Sequence, residues 1–213
     1  MLHTQLIHAQ NKGSKHLLIM LHGLGDSIAG YTWLPMALNL PWLNYLLVNA
    51  PDPYYGGFSW YDFMGDMTPG VERSRKLLFE VLDAQRKNGF SSDQIILGGF
   101  SQGCLMSLDA GLRYPHRLAG IIGISGYVCD PERLIKEISP AGLKEPVLMT
   151  HGTQDPLIPI AEVRKQANQL KASGINLEWH EFVKPHTIAG ELELKVIRDF
   201  IERCLGISRM VTT

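Results

Sequence analysis

Gln94-Ile95-Ile96-Leu97-Gly98-Gly99-Phe100-Ser101-Gln102-Gly103-Cys104-Leu105-Met106-Ser107-Leu108-Asp109-Ala110-Gly111-Leu112 carries the reading on which the rest of this chain depends. The apolar run at 94–98 reads as a buried strand, and the run from Cys104 reads as a helix. Ser101 falls on the turn between them. A chain that passes from strand to helix in so few residues bends sharply, which forces the serine into strained backbone angles and projects its hydroxyl from the sheet. Gly99 and Gly103 flank the turn because a side chain at either would collide with the neighbouring strand or helix. The pentapeptide Gly99-Phe100-Ser101-Gln102-Gly103 alone arises often by chance; its setting gives it weight.

Outward from this turn, apolar runs alternate with amphipathic ones, the pattern of parallel βαβ units. Strands are expected over 16–22, 45–49, 94–98, 120–125, 146–151 and 176–183, with an antiparallel edge strand over 4–9. Helices are expected over 71–88, 101–113, 160–172 and 191–204. The expected fold is α/β, a mostly parallel central sheet with helices on both faces and no large cap domain. Residues 1–206 read as one domain and 207–213 as a frayed tail. In such sheets a site lies beyond the carboxyl ends of the strands.

Composition narrows the function classes. Of 213 residues, 45% are hydrophobic and 19% charged, which places the chain among globular proteins. A net charge of −1 without a Lys/Arg run gives nucleic-acid binding no footprint. The three cysteines, Cys104, Cys129 and Cys204, are odd in number and lack CxxC spacing. They argue for a reducing compartment and against a disulfide framework or a metal site. No basic stretch followed by an apolar core opens the chain, and no apolar run approaches a membrane span. A cytoplasmic protein without a transmembrane segment is expected.

A serine hydroxyl needs a base to take its proton and a carboxylate to orient that base. Asp155 fits the acid, in the turn Gly152-Thr153-Gln154-Asp155-Pro156 that leaves the carboxyl end of a strand. Asp130 competes but suits the cap of a helix starting near Pro131. His186, in the loop Lys184-Pro185-His186-Thr187, fits the base. Its rival His180 lies inside an alternating strand and points to a sheet face. His151 precedes the acid in the same turn and reads as structural. A tetrahedral intermediate also needs N–H donors: that of Gln102, and that of Leu24 in His22-Gly23-Leu24-Gly25-Asp26. This loop lacks a Walker lysine and GxGxxG spacing, which weakens a phosphate-binding reading. The segments 54–64 and 157–160, with Phe58, Trp60, Leu157 and Ile158, are apolar enough to line a substrate groove and serve equally as packing.

Taken together, Leu21-His22-Gly23-Leu24-Gly25-Asp26, Asn49-Ala50-Pro51, Trp60-Tyr61-Asp62, Gly99-Phe100-Ser101-Gln102-Gly103, His151-Gly152 leading to Asp155-Pro156, and His186 resemble the acyl-protein thioesterase/carboxylesterase family of small α/β-hydrolases. The resemblance spans about residues 16–205. It implies the α/β-hydrolase fold, a Ser101–Asp155–His186 triad, an oxyanion hole from Leu24 and Gln102, and hydrolysis of esters or acyl thioesters without a cofactor or metal. It extends to lysophospholipids as substrates and to a homodimer that covers the active-site face, as in some members; independently of it, an exposed apolar loop near the site would allow transient membrane-surface contact. The chain departs from the family pattern at Pro185 and Cys104, where glycine is common, and in a short segment between Asn49 and Trp60. The rival readings are a lipase, lysophospholipase or peptidase on the same scaffold, and a non-catalytic lipid-binding homologue. A broken triad would mark the last, and all three residues are present.

Overall fold

A computed structural model describes residues 1–207; of the expected tail, 208–213 lie outside the described residues. Among the described residues nine strands form two sheets: β1 (Thr4–Ile7), β2 (His16–Leu21), β3 (Leu43–Val48), β4 (Asp52–Tyr54), β5 (Gly57–Ser59), β6 (Ile95–Phe100), β7 (Gly120–Ile124), β8 (Val147–Gly152) and β9 (Leu177–Phe182). The main sheet runs β1-β3-β2-β6-β7-β8-β9. Only β1 is antiparallel, against β3, with Thr4 opposite Val48. The α-helices are α1 (Leu34–Leu38), α2 (Thr68–Lys87), α3 (Gln102–Arg113), α4 (Pro131–Glu137), α5 (Ile160–Ala172) and α6 (Gly190–Cys204).

The alternation of side chains along a strand splits the core in two. Leu17, Ile19 and Leu21 of β2 face one side with Leu78 and Leu82 of α2, Leu105 and Leu108 of α3, and Leu170 of α5. Leu18 and Met20 face the other side with Leu34 and Leu38 of α1 and Ile197, Phe200 and Ile201 of α6. Burying both faces explains why the central strands read as continuous apolar runs.

Besides α1, which none of the expected helices covers, two elements depart from expectation. Helix α2 starts at Thr68, three residues before the predicted 71, because Pro69 is tolerated in a first turn that needs no N–H from it. The segment 52–59 is a hairpin, closed by Tyr55 and Gly56 at φ 42° and 89°, the positive pair of a tight two-residue turn. Asp130 caps α4, accepting from the Arg133 N–H at 2.9 Å, as its position before Pro131 predicts.

Glu145 is fully buried; Oε1 accepts from the Leu118 N–H at 2.8 Å, and Oε2 has no partner among the described residues. Burial pushes this carboxyl up from its ordinary 4.5 to about 8. Between those values the native protein holds a proton that the unfolded chain has released. Stability is therefore expected to fall as pH rises through that window, by at most about 1.4 kcal/mol per pH unit. Glu145→Gln keeps the acceptor for Leu118 and should flatten that slope in urea titrations; an equal slope in the variant would place the proton elsewhere.

Candidate active site

Ser101 stands between β6 and α3 at φ 55°, ψ −116°, a region that costs a non-glycine residue of order 1–3 kcal/mol. Its N–H donates to the Ile124 carbonyl of β7 at 2.9 Å, which holds the bend. A Cβ at Gly99 would lie 2.1 Å from the Gly103 carbonyl oxygen, and one at Gly103 would lie 2.3 Å from that of Leu21. Both glycines are thus required by contact with backbone that cannot move aside.

The loops after β8 and β9 bring Asp155 and His186 to this serine. His186 Nε2 lies 2.9 Å from Ser101 Oγ, and His186 Nδ1 lies 2.7 Å from Asp155 Oδ2. Because the carboxylate only accepts, Nδ1 carries the hydrogen and Nε2 is left to accept from the serine. Asp155 Oδ1 accepts from the N–H groups of Leu157 and Ile158, each at 2.9 Å. Burial pushes the Asp155 carboxyl up, but these bonds and the one from His186 outweigh it and hold the group below its ordinary value. His180 is half-exposed on β9, with Glu178 Oε2 at 3.8 Å from its Nε2. His151 is buried, stacks on Trp179 and donates from Nε2 to the Ile158 carbonyl at 3.0 Å. Cys104 is fully buried, and burial pushes its thiol up to about 12, so it offers no competing thiolate.

The His22–Asp26 loop is braced from several sides. A Cβ at Gly23 would meet Ser101 Cβ at 3.3 Å, which puts the loop against the serine. His22 Nε2 accepts from the Ala50 N–H at 3.0 Å, leaving Nδ1 to donate to the Gly23 carbonyl at 2.6 Å. The hairpin locks on through Gly25 N–H to the Phe58 carbonyl and Phe58 N–H to the Asp26 carbonyl, both at 2.9 Å. Gln102 extends its side chain away from the turn: Oε1 accepts from the Trp60 N–H at 3.0 Å, and Nε2 donates to the Tyr61 carbonyl at 3.0 Å.

Trp60 corrects the sequence reading. Its side chain has no exposure and donates from Nε1 to the His22 carbonyl at 2.9 Å, so it supports the loop and cannot touch a substrate. Phe58 is half-buried against the core, Ile158 likewise, and Leu157 is 71% exposed beside the acid. Tyr54 meets Tyr55 and Phe63 edge-on, giving the hairpin an exposed aromatic rim.

Sequence reasoning missed the group that ties the site together. Glu193 Oε1 accepts from Lys184 Nζ at 2.5 Å and from Thr150 Oγ1 at 2.6 Å, and Oε2 accepts from the Ala189 N–H at 2.6 Å. Lys184 and Ala189 lie on either side of His186, and Thr150 belongs to the strand that leads to Asp155. Both charged side chains are buried, Lys184 to 2% exposure and Glu193 to none. Burial lowers the Lys184 ammonium and the Glu193 carboxylate opposes that shift. A charged pair in a sequence gives no signal of burial, and only the lysine's place in the base loop pointed here.

A family model described as Phospholipase/Carboxylesterase matches residues 2–205. The chain belongs to the phospholipase/carboxylesterase family. Within it, the chain is 30% identical over 222 residues to acyl-protein thioesterase 1 of Debaryomyces hansenii, covering 93% of this chain and 95% of that protein. It is 37% identical over 155 residues to acyl-protein thioesterase 1 of Schizosaccharomyces pombe, covering 67% and 69% of the two chains. Among solved structures, esterase PE8 superposes with a TM-score of 0.83 at 32% identity, covering 96% of this chain and 99% of that one. The α/β-hydrolase fold expected from the strand–turn–helix is the fold of this neighbour. Among the described residues, no helix is long and apolar enough to cross a membrane.

Proposed function

We propose that the protein is a serine hydrolase of carboxylic esters and acyl thioesters, working through an acyl-enzyme. The carrying observation is the hydrogen-bonded line Ser101 Oγ, His186 Nε2, His186 Nδ1, Asp155 Oδ2, with separations of 2.9 and 2.7 Å. Ser101 Oγ attacks the acyl carbonyl carbon as its proton passes to His186 Nε2. The resulting oxyanion is received by the N–H groups of Leu24 and Gln102. Collapse breaks the bond to the leaving oxygen or sulfur, which takes the proton from Nε2. Water then gives a proton to Nε2 and attacks the acyl carbon, freeing the acid and restoring Ser101. Asp155 holds the imidazole in the required tautomer and stabilises its positive charge. The names of the fungal relatives favour thioesters, and that of the solved neighbour favours esters.

The exposed rings of Tyr55 and Phe63, with Leu157 beside the acid, suit an acyl chain. Hydrolysis of p-nitrophenyl esters and matched acyl thioesters across acyl lengths tests the reading. Turnover of both, with one acyl group gained in mass after quenching or one phosphonate adduct per chain, is expected. Active enzyme that never gains mass and resists a serine-directed phosphonate would exclude the acyl-enzyme.

A further inference from the structure

On the proposed mechanism the leaving group takes its proton from His186 Nε2, so the atoms beyond the leaving oxygen start beside His186. There a cavity of about 230 Å³ opens, lined by His186, Ile188, Phe100, Tyr31, Trp33 and Asp26 among others. It is far larger than the roughly 10–15 Å³ that admits one water. No lysine or arginine lines it. The Asp26 carboxylate rests against Gly30, where a Cβ would lie 2.2 Å from Oδ1, and that oxygen accepts from the Ser27 N–H at 2.7 Å. Tyr31 lines the same cavity as Asp26 and is otherwise buried. Phe100 packs on the base itself, with ring centroids 4.9 Å apart.

A cavity lined by a carboxylate together with the exposed Trp33 and the half-buried Phe100 is an environment for an organic cation, since aromatic rings and carboxylate both attract positive charge. We propose that this cavity is a leaving-group subsite for small alcohols or thiols that carry a quaternary alkylammonium charge, such as choline. The proposal rests on the ester-hydrolase reading and names its substrate class. It separates such esters from choline-headed lysophospholipids, in which an anionic phosphate stands between the ester and the ammonium and would meet Asp26 first.

The test compares butyrylcholine with 3,3-dimethylbutyl butyrate, which has the same acyl group and shape and carbon in place of the charged nitrogen. The expected kcat/KM ratio favours the charged ester by about tenfold or more. It should narrow with added salt and collapse toward unity in Asp26→Asn. Phosphonate labelling of that variant checks that its serine site is assembled, and the wild-type ratio stands without it. A wild-type ratio near or below one, a ratio that survives in Asp26→Asn, or faster hydrolysis of lysophosphatidylcholine than of butyrylcholine would overturn the subsite. If p-nitrophenyl butyrate is hydrolysed and neither alkyl ester is, the subsite fails and the hydrolase reading stands. If none of the three is hydrolysed, the subsite fails, and the acyl-length series of esters and thioesters decides the hydrolase reading.

Discussion

Ser101→Ala is expected to lower ester turnover by roughly 10⁴-fold or more while leaving the fold intact. The substitution removes the atom that bonds to the acyl carbon and leaves the rest of the line in place. No neighbour can substitute: Cys104 is sealed in the core with its thiol held protonated, and His151 is engaged with the Ile158 carbonyl. His186→Ala should bring a comparable loss because the serine then has no acceptor at 2.9 Å. His180→Ala is the control; its side chain lies on β9 beside Glu178 and should leave turnover within about twofold. Initial rates on a p-nitrophenyl ester with active-site titration decide the matter. A Ser101→Ala enzyme with wild-type turnover would remove the serine from the mechanism, and a dead His180→Ala enzyme would move the base.

Lys184→Met should destabilise the protein by about 3–5 kcal/mol, since it leaves the Glu193 carboxylate buried without its cation. Glu193→Gln should also be costly, because it strands the ammonium. The double variant Lys184→Met/Glu193→Gln is neutral, keeps an amide to meet Thr150 and Ala189, and should recover most of the loss. Urea denaturation of the four proteins gives the coupling. Additive losses would mean that the pair contributes nothing beyond its two side chains. Turnover adds a second readout. Glu193 fixes both sides of the loop that carries His186, so in Lys184→Met kcat should fall more than KM rises, even at temperatures where the variant is folded.

The sequence disclosed those parts of the site that local chemistry dictates. Ser101 was legible because two glycines and the switch from strand to helix permit few other structures. Asp155 and His186 were legible because parallel strands deliver their following loops to one edge of the sheet. Trp60 stayed ambiguous because aromatic content marks burial and binding alike, and only the fold decides which side of a hairpin faces inward. The hairpin itself was too short to show periodicity, with three residues in each strand. The Glu193 junction joins residues 43 and 9 positions apart, a proximity no local pattern encodes.

That junction also sets an order of assembly during synthesis. The nucleophile, its turn and the early loop are all made before residue 130, while the base is fixed by a carboxylate in the first turns of the last helix. A ribosome that has emitted β6 and α3 but not Glu193 holds a chain with a serine and no clamped histidine. On the proposed mechanism, hydrolytic competence would wait for α6 to dock, and each chain would gain its reactivity after its core is closed.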